Sequence, residues 1–320
     1  MRKAFHLCIT AGLLALLPAT AVYGLGRQTD DEILRDFLWE EFTQLPKNKR
    51  PAVGLALSAG GVRGFAHVGV LEVLDNAGMP IDMITGTSMG SVVGSLYSAG
   101  LPVSKLWEIS RHMTLKKITP DFNVGGLLRF LLAKKLPSSS NLQKFFNEQI
   151  GEMRFEDLQI PFSCAAMDVK TGERVLFDSG PLSIAVRASM NLPGVFEPVQ
   201  YRHRHLVDGA VVDYLPTETL RKMGAQYVIA SVTPPDFSSQ TPRTIAEYFL
   251  RVGDVRGAAM IEESSKKADF VITNRVLNIS TLELDKLPKA GEEGILSATK
   301  SLAALQEDML LKMGQYVYQP

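Results

Sequence analysis

Two short apolar runs, residues 52–58 and 79–85, each pass through a glycine-bearing turn straight into a helix-patterned segment. Nothing else in the sequence limits the fold as tightly. Strand, turn and helix repeated in that order make the two strands parallel neighbours joined by a helical crossover. The first run, Ala52-Val53-Gly54-Leu55-Ala56-Leu57-Ser58, is apolar almost throughout, the pattern of a strand covered on both faces. The helix predicted over residues 63–77 repeats Phe65, Val68, Leu71 and Leu74 at helical spacing, and Gly78 supplies a left-handed stop. A second helix is predicted over residues 89–99, ending at Gly100. The expectation is a doubly wound α/β sheet whose ligand site lies at the carboxyl ends of its strands.

Further along, helices are predicted at residues 104–113, 140–150, 181–190, 217–223, 245–263 and 291–313. Residues 162–169 and 174–177 read as a hairpin around Lys170-Thr171-Gly172, a strand pair surrounds residues 201–207, and residues 226–230 and 269–273 read as strands. At the other end, Arg2 and Lys3, the apolar run of residues 4–17 and Ala19-Thr20-Ala21 have the layout of a signal peptide. Residues 1–21 are assigned to it, against the rival readings of an uncleaved anchor or a first helix. Export to a periplasmic, secreted or membrane-associated location is expected. Residues 22–51 read as a linker with a short helix. Residues 55–223 carry the main domain, and residues 224–320 a largely helical extension that completes it.

Bulk properties remove several function classes. With 34 basic and 34 acidic residues the formal charge is zero, so there is no surplus to displace counterions and no nucleic-acid partner is expected. The two cysteines, Cys8 and Cys164, form no CxxC, and no HExxH occurs, which leaves the common zinc templates unfilled. The run that opens on Leu127 and closes on Lys135 mixes apolar and cationic residues. It reads either as a peripheral membrane or lid segment or as a helix packed on the core.

The chemistry gathers at the two turns. Gly86-Thr87-Ser88-Met89-Gly90 fits G-x-S-x-G at a strand-to-helix junction, where flanking glycines let a tight turn raise a serine oxygen above the sheet. The helix start at Met89 turns free N–H groups toward an anion forming there. Ser58-Ala59-Gly60-Gly61-Val62-Arg63-Gly64 occupies the other turn, and its glycines allow backbone N–H groups to approach an oxyanion. A dinucleotide fingerprint fits poorly, because Ala59 replaces the first glycine and no acid closes the second strand; a Walker loop lacks its Gly-Lys-Ser/Thr.

A serine nucleophile needs a base. The last histidine is His205, too early for the usual Ser–acid–His order. His203 and His205 remain alternatives on a segment that alternates like an exposed hairpin, and His67 and His112 read as structural. Asp208, in Leu206-Val207-Asp208-Gly209-Ala210, stands at a strand end beside a turn glycine and reads either as a turn aspartate or as the base.

Taken together, these segments resemble the bacterial patatin-like phospholipases across residues 55–223. The likeness rests on Gly60-Gly61-Val62-Arg63-Gly64, the Gly86–Gly90 elbow, Asp208-Gly209-Ala210, and the segment from Ala188-Ser189-Met190-Asn191-Leu192-Pro193 to Gly194-Val195-Phe196-Glu197-Pro198. It implies a three-layer α/β/α fold with a mainly parallel central sheet and hydrolysis of lipid acyl esters without metal or cofactor. It also implies a dyad with Ser88 as nucleophile and Asp208 as proton acceptor, and an oxyanion hole from the N–H groups of Gly60 and Gly61. The family's loop usually opens on a further glycine where Ala59 stands, which is tolerable only if Ala59 keeps a negative φ. A non-catalytic lipid-binding protein on the same fold is the alternative function.

Overall fold

The structure, a computed structural model, describes residues 29–112, 136–238, 241–242, 245–281 and 283–317. The signal-peptide segment, the first part of the linker and the run of residues 127–135 lie outside the described residues. Two units are present, residues 1–44 and residues 45–320. In the first, helix α1 (Asp30–Thr43) is opened by a capping box in which Thr29 and Glu32 exchange side-chain and backbone hydrogen bonds. The linker expected at residues 22–51 thus contains a fourteen-residue helix. Its last residues belong to the second unit, where Arg50 pairs with Asp82 at 2.6 Å.

The second unit is built on one eight-stranded sheet in the order β5-β6-β3-β2-β1-β7-β8, with β4 paired to β3. The strands are β1 (Val53–Leu57), β2 (Met83–Gly86), β3 (Phe162–Asp168), β4 (Arg174–Phe177), β5 (Val199–Tyr201), β6 (Arg204–Asp208), β7 (Tyr227–Val232) and β8 (Phe270–Thr273). From β3 through β2, β1 and β7 to β8 every pairing is parallel; β4, β5 and β6 join antiparallel. β1 and β7 are buried along their whole length, which accounts for the unbroken apolar runs in their sequences.

Helices cover both faces. On one side Leu220 of α7 (Thr217–Met223) packs with Ala56, Val228, Ala230 and Val232, and Ile261 of α8 (Ile245–Ser265) joins them. On the other side α3 (Met89–Ser98) lies against Leu57, Ile84 and Phe162. α2 (Ala66–Asn76) and the long α9 (Leu287–Val317) pack on each other. Outside the sheet run α4 (Val103–His112), α5 (Ser140–Ile150) and α6 (Leu182–Ser189). The α/β class and mainly parallel sheet expected from the sequence are present.

Several boundaries differ from the sequence reading for local reasons. The helix expected from residue 63 begins as a 3-10 turn, Gly61–Phe65, before α2 starts at Ala66, because the glycine loop winds more tightly than an α-helix. The strand expected from residue 79 starts at Met83. Before it, Pro80 has no N–H to give a ladder, and the Asp82 carboxylate instead accepts the Val53 N–H at 2.8 Å. The strand expected at residues 226–230 is β7, two residues longer at its carboxyl end, and it lies beside β1 near the middle of the sheet.

The register of β3 positions the site. Ala166 pairs with Val175 of β4 and with Asp208 of β6, so β4 and β6 lie on opposite edges of β3. Cys164 pairs with Phe177 of β4 and with Gly86 of β2. β2 and β6 therefore share one edge, running toward each other and stopping two residues apart. Both carry their chemistry at the end that stops there.

Candidate active site

Ser88 is the second residue after β2 and holds φ 53° and ψ −122°, a left-handed conformation that costs a non-glycine residue on the order of 1–3 kcal/mol. The turn is held from several sides. Ser88 N–H donates to Ser189 Oγ at 3.0 Å, and Thr87 Oγ1 donates to the Asp213 carbonyl at 2.8 Å. Gly90 N–H and Ser91 N–H donate back to Thr87 O and Ser88 O, so two of the helix-start donors are occupied. Gly90 passes so close to β1 that a Cβ there would lie 2.4 Å from the Leu57 carbonyl oxygen. The elbow's glycine spacing is thus a packing requirement of the strand beside it.

Asp208 closes β6 and is 1% exposed. Its Oδ2 accepts the Ser88 Oγ–H at 2.7 Å, its Oδ1 accepts the Ala210 N–H at 2.8 Å, and its own N–H donates to Asn191 O at 2.9 Å. Burial pushes its carboxyl up to about 7, while the Ala210 and Ser88 hydrogen bonds pull the other way. Gly209 has to be glycine, since a Cβ there would stand 2.2 Å from Ala165 O on β3.

The glycine loop approaches from β1. Ala59 N–H donates to Tyr214 O and Val62 N–H to Thr281 O, whereas among the described residues no acceptor is paired with the N–H groups of Gly60 and Gly61. Ala59 is not among the residues of positive φ, so its methyl group is accommodated without backbone strain. Arg63 runs into the interior, where Nη2 meets Asp254 Oδ1 at 3.1 Å and Nη1 donates to the Ile279 carbonyl at 3.3 Å. Its Nε is buried with no partner among the described residues.

These groups face one cavity of about 290 Å³. Of the residues singled out in the sequence, Ala59, Gly60, Gly61, Arg63, Ser88, Asp208 and Ala210 line it; Val62, Gly64, Gly86, Thr87, Met89, Gly90 and Gly209 do not. The apolar part of the lining comes from Met167, Leu192, Pro193, Val211 and Val252, the last of these standing on α8 with Asp254 and Arg256.

Among the described residues no histidine lines the cavity. His203 is exposed at the turn of the β5–β6 hairpin and His205 sits on β6, so the structure does not bring these alternative bases to Ser88 in place of Asp208. His67 is wholly buried between Ser231 Oγ and the Ser58 carbonyl, and burial lowers it to about 4. Among the described residues there is no cluster of three His, Cys, Asp or Glu side chains placed to hold a metal, and no helix long and apolar enough to cross a membrane.

Sequence reasoning missed the supports. Ser189 and Asn191 lie within a segment that drew notice for its pattern, but nothing in that pattern says which backbone groups they hold. Thr281, Asp254 and Arg256 carry no motif at all and reach the cavity only through the fold.

Comparison with known proteins locates this constellation. A sequence model described as patatin-like phospholipase matches residues 55–221. The chain is 36% identical over 183 residues to an uncharacterized NTE family protein of Mycobacterium tuberculosis, covering 56% of this chain and 48% of that one. It is 33% identical over 202 residues to Lysophospholipase NTE1 of Debaryomyces hansenii, covering 62% of this chain and 12% of that one. The chain thus spans about half the length of the mycobacterial relative and about an eighth of the yeast one. Among solved structures, human GIVD cytosolic phospholipase A2 aligns with a TM-score of 0.47 at 12% identity over 87% of this chain and 63% of that one. VipD from Legionella pneumophila aligns with a TM-score of 0.45 at 11% identity over 80% of this chain and 67% of that one.

Proposed function

The chain belongs to the patatin-like phospholipase family, and on that premise we propose that it is a metal-independent serine hydrolase of lipid acyl esters. One observation carries the proposal: a serine hydroxyl on a strained elbow donates to a buried carboxylate at 2.7 Å, inside a cavity also lined by Gly60 and Gly61, whose N–H groups have no paired acceptor among the described residues. Ser88 Oγ attacks the ester carbonyl carbon as its proton passes to Asp208. The carbonyl oxygen becomes an oxyanion held by Gly60 and Gly61 N–H, and a donor of this kind contributes about 3–4 kcal/mol. The C–O bond to the alcohol breaks, and the alcohol leaves with the proton from Asp208. Water then gives a proton to Asp208 and attacks the acyl-serine. Asp208 returns the proton to Ser88 Oγ as the fatty acid departs.

An ordinary aspartate is a weak base near pH 7. A carboxylate raised to about 7 by burial is matched to the task, which supports Asp208 in this role. The curated relative named a lysophospholipase supports a glycerophospholipid or lysophospholipid ester as the substrate class. Export through residues 1–21 belongs to the same proposal, with N-terminal sequencing of the protein from its native compartment as the check.

The experiment is labelling with a fluorophosphonate probe together with turnover of short-chain nitrophenyl esters and lysophospholipid. Wild type labels at Ser88 and turns over; Ser88→Ala and Asp208→Asn remain folded and lose about 10⁴-fold or more in kcat. A wild type that neither labels nor turns over, yet binds lipid, indicates a non-catalytic lipid-binding protein instead.

A further inference from the structure

Four charged side chains line the cavity, and three are already committed. Asp208 holds Ser88 and Ala210. Arg63 and Asp254 neutralise each other at 3.1 Å, and the remaining terminal nitrogen of Arg63 is given to the Ile279 carbonyl. Arg63 is 5% exposed on its side chain, so it offers no free guanidinium fork to a ligand.

Arg256 is different. It is exposed on α8, and its Nε donates to the Val211 carbonyl at 2.5 Å, three residues beyond Asp208. Among the described residues no acid pairs with it, and its two terminal nitrogens have no acceptor. One bond therefore fixes the inner edge of the guanidinium against the turn that carries the proposed base, while the outer edge keeps its donors for something else. A planar fork of that kind fits two oxygens of a phosphate bidentately, a geometry that lysine lacks. Elsewhere the cavity is lined by the apolar side chains of Met167, Leu192 and Pro193, and Val252 stands one turn before Arg256 on α8.

We propose that Arg256 is the headgroup-binding residue of this site and grips the phosphodiester of a lysophospholipid whose acyl chain lies on the apolar lining. The assignment rests on the reading of the site as a lipid ester hydrolase. It names what the cavity selects: an anionic phosphate set a few bonds from the ester, in preference to a neutral glycerol. Free inorganic phosphate offers the same oxygens without the chain.

Binding is measured on the full chain carrying Ser88→Ala, with three probes: a 1-O-decyl glycerophosphocholine ether, the matching 1-O-decylglycerol, and inorganic phosphate. The phosphocholine ether binds about tenfold tighter than the decylglycerol, the scale of one charge-assisted hydrogen-bond pair. Adding Arg256→Ala erases that difference, and Arg256→Lys keeps part of it. Equal affinity for the two ethers before and after substitution overturns the proposal, as does an equal loss for both, which would assign Arg256 to the support of Val211. Inorganic phosphate binding as tightly as the phosphocholine ether overturns the lipid assignment in favour of a simple anion site. Because these arms need no turnover, an inactive wild type would remove the hydrolase reading while Arg256-dependent selection of the headgroup could still be observed.

Discussion

Ser88 Oγ and Asp208 Oδ2 stand 2.7 Å apart although 120 positions of chain separate them, because two strands end against the same edge of a third. β2 runs parallel to β3 and stops with Gly86 beside Cys164; β6 runs antiparallel and stops with Asp208 beside Ala166. The hydroxyl and the carboxylate therefore meet in the gap between two strand ends. The protein interior excludes water from the carboxylate, and that exclusion gives the proposed base its strength.

The first consequence concerns pH. The burial that pushes Asp208 up to about 7 keeps it largely protonated in mildly acidic solution, where it cannot accept a proton from Ser88. In the unliganded protein kcat/KM for a soluble nitrophenyl ester rises about tenfold per pH unit below 7 and levels off above it. An acid limb centred near pH 4, the range of an ordinary aspartate, contradicts this account.

The same shift acts on stability. The folded state holds the Asp208 proton more tightly than the unfolded chain does, so the contribution is fully present below pH about 4 and is lost as pH rises through about 7. Asp208→Asn has no such loss. In urea melts the stability of the variant relative to wild type rises by about 2–4 kcal/mol between pH 4 and 8. A difference independent of pH excludes Asp208 as the group responsible.

Ser189 holds the elbow by accepting the Ser88 N–H in a fully buried setting. Removing that acceptor leaves a buried donor unsatisfied, a loss of about 1–3 kcal/mol in stability. Ser189→Ala is expected to lower kcat about tenfold with little change in KM, since the hydroxyl positions the nucleophile and touches no substrate. The rate of fluorophosphonate labelling falls in parallel. Normal labelling in a destabilised variant limits Ser189 to a purely structural part.

The Arg63–Asp254 pair ties the glycine loop to α8 through an almost fully buried guanidinium. Asp254→Ala strands that charge and is expected to cost about 3 kcal/mol or more by chemical denaturation. Converting both partners to apolar residues, Arg63→Met with Asp254→Leu, recovers much of the loss, because no buried charge is then left alone. A single variant as stable as wild type would show that water already reaches the pair.

Much of this architecture is written locally. The elbow at Ser88, the glycine loop at Gly60 and Gly61, the hairpin around Gly172 and the left-handed stops at Gly78, Gly100 and Gly224 depend on residues a few positions apart. Steric limits on φ and the periods of helix and strand leave their mark on such short stretches. α5 and α7 likewise begin and end where their residue patterns do. The lengths of α2 and β2 departed from their patterns where one side chain, Asp82, or one tight turn at Gly61 intervened.

What the chain alone determined is therefore the inventory: a serine raised on a turn, a loop able to point N–H groups at an anion, and an aspartate at a strand end. Whether these meet was decided by the register of β2 and β6 on β3, a matter of ladder pairing between segments 78 and about 40 positions apart. The raised Asp208 and the placement of Arg256 against Val211 likewise came only with the tertiary structure. Desolvation and cavity lining are properties of everything packed around a group, and no short window of sequence contains that surrounding.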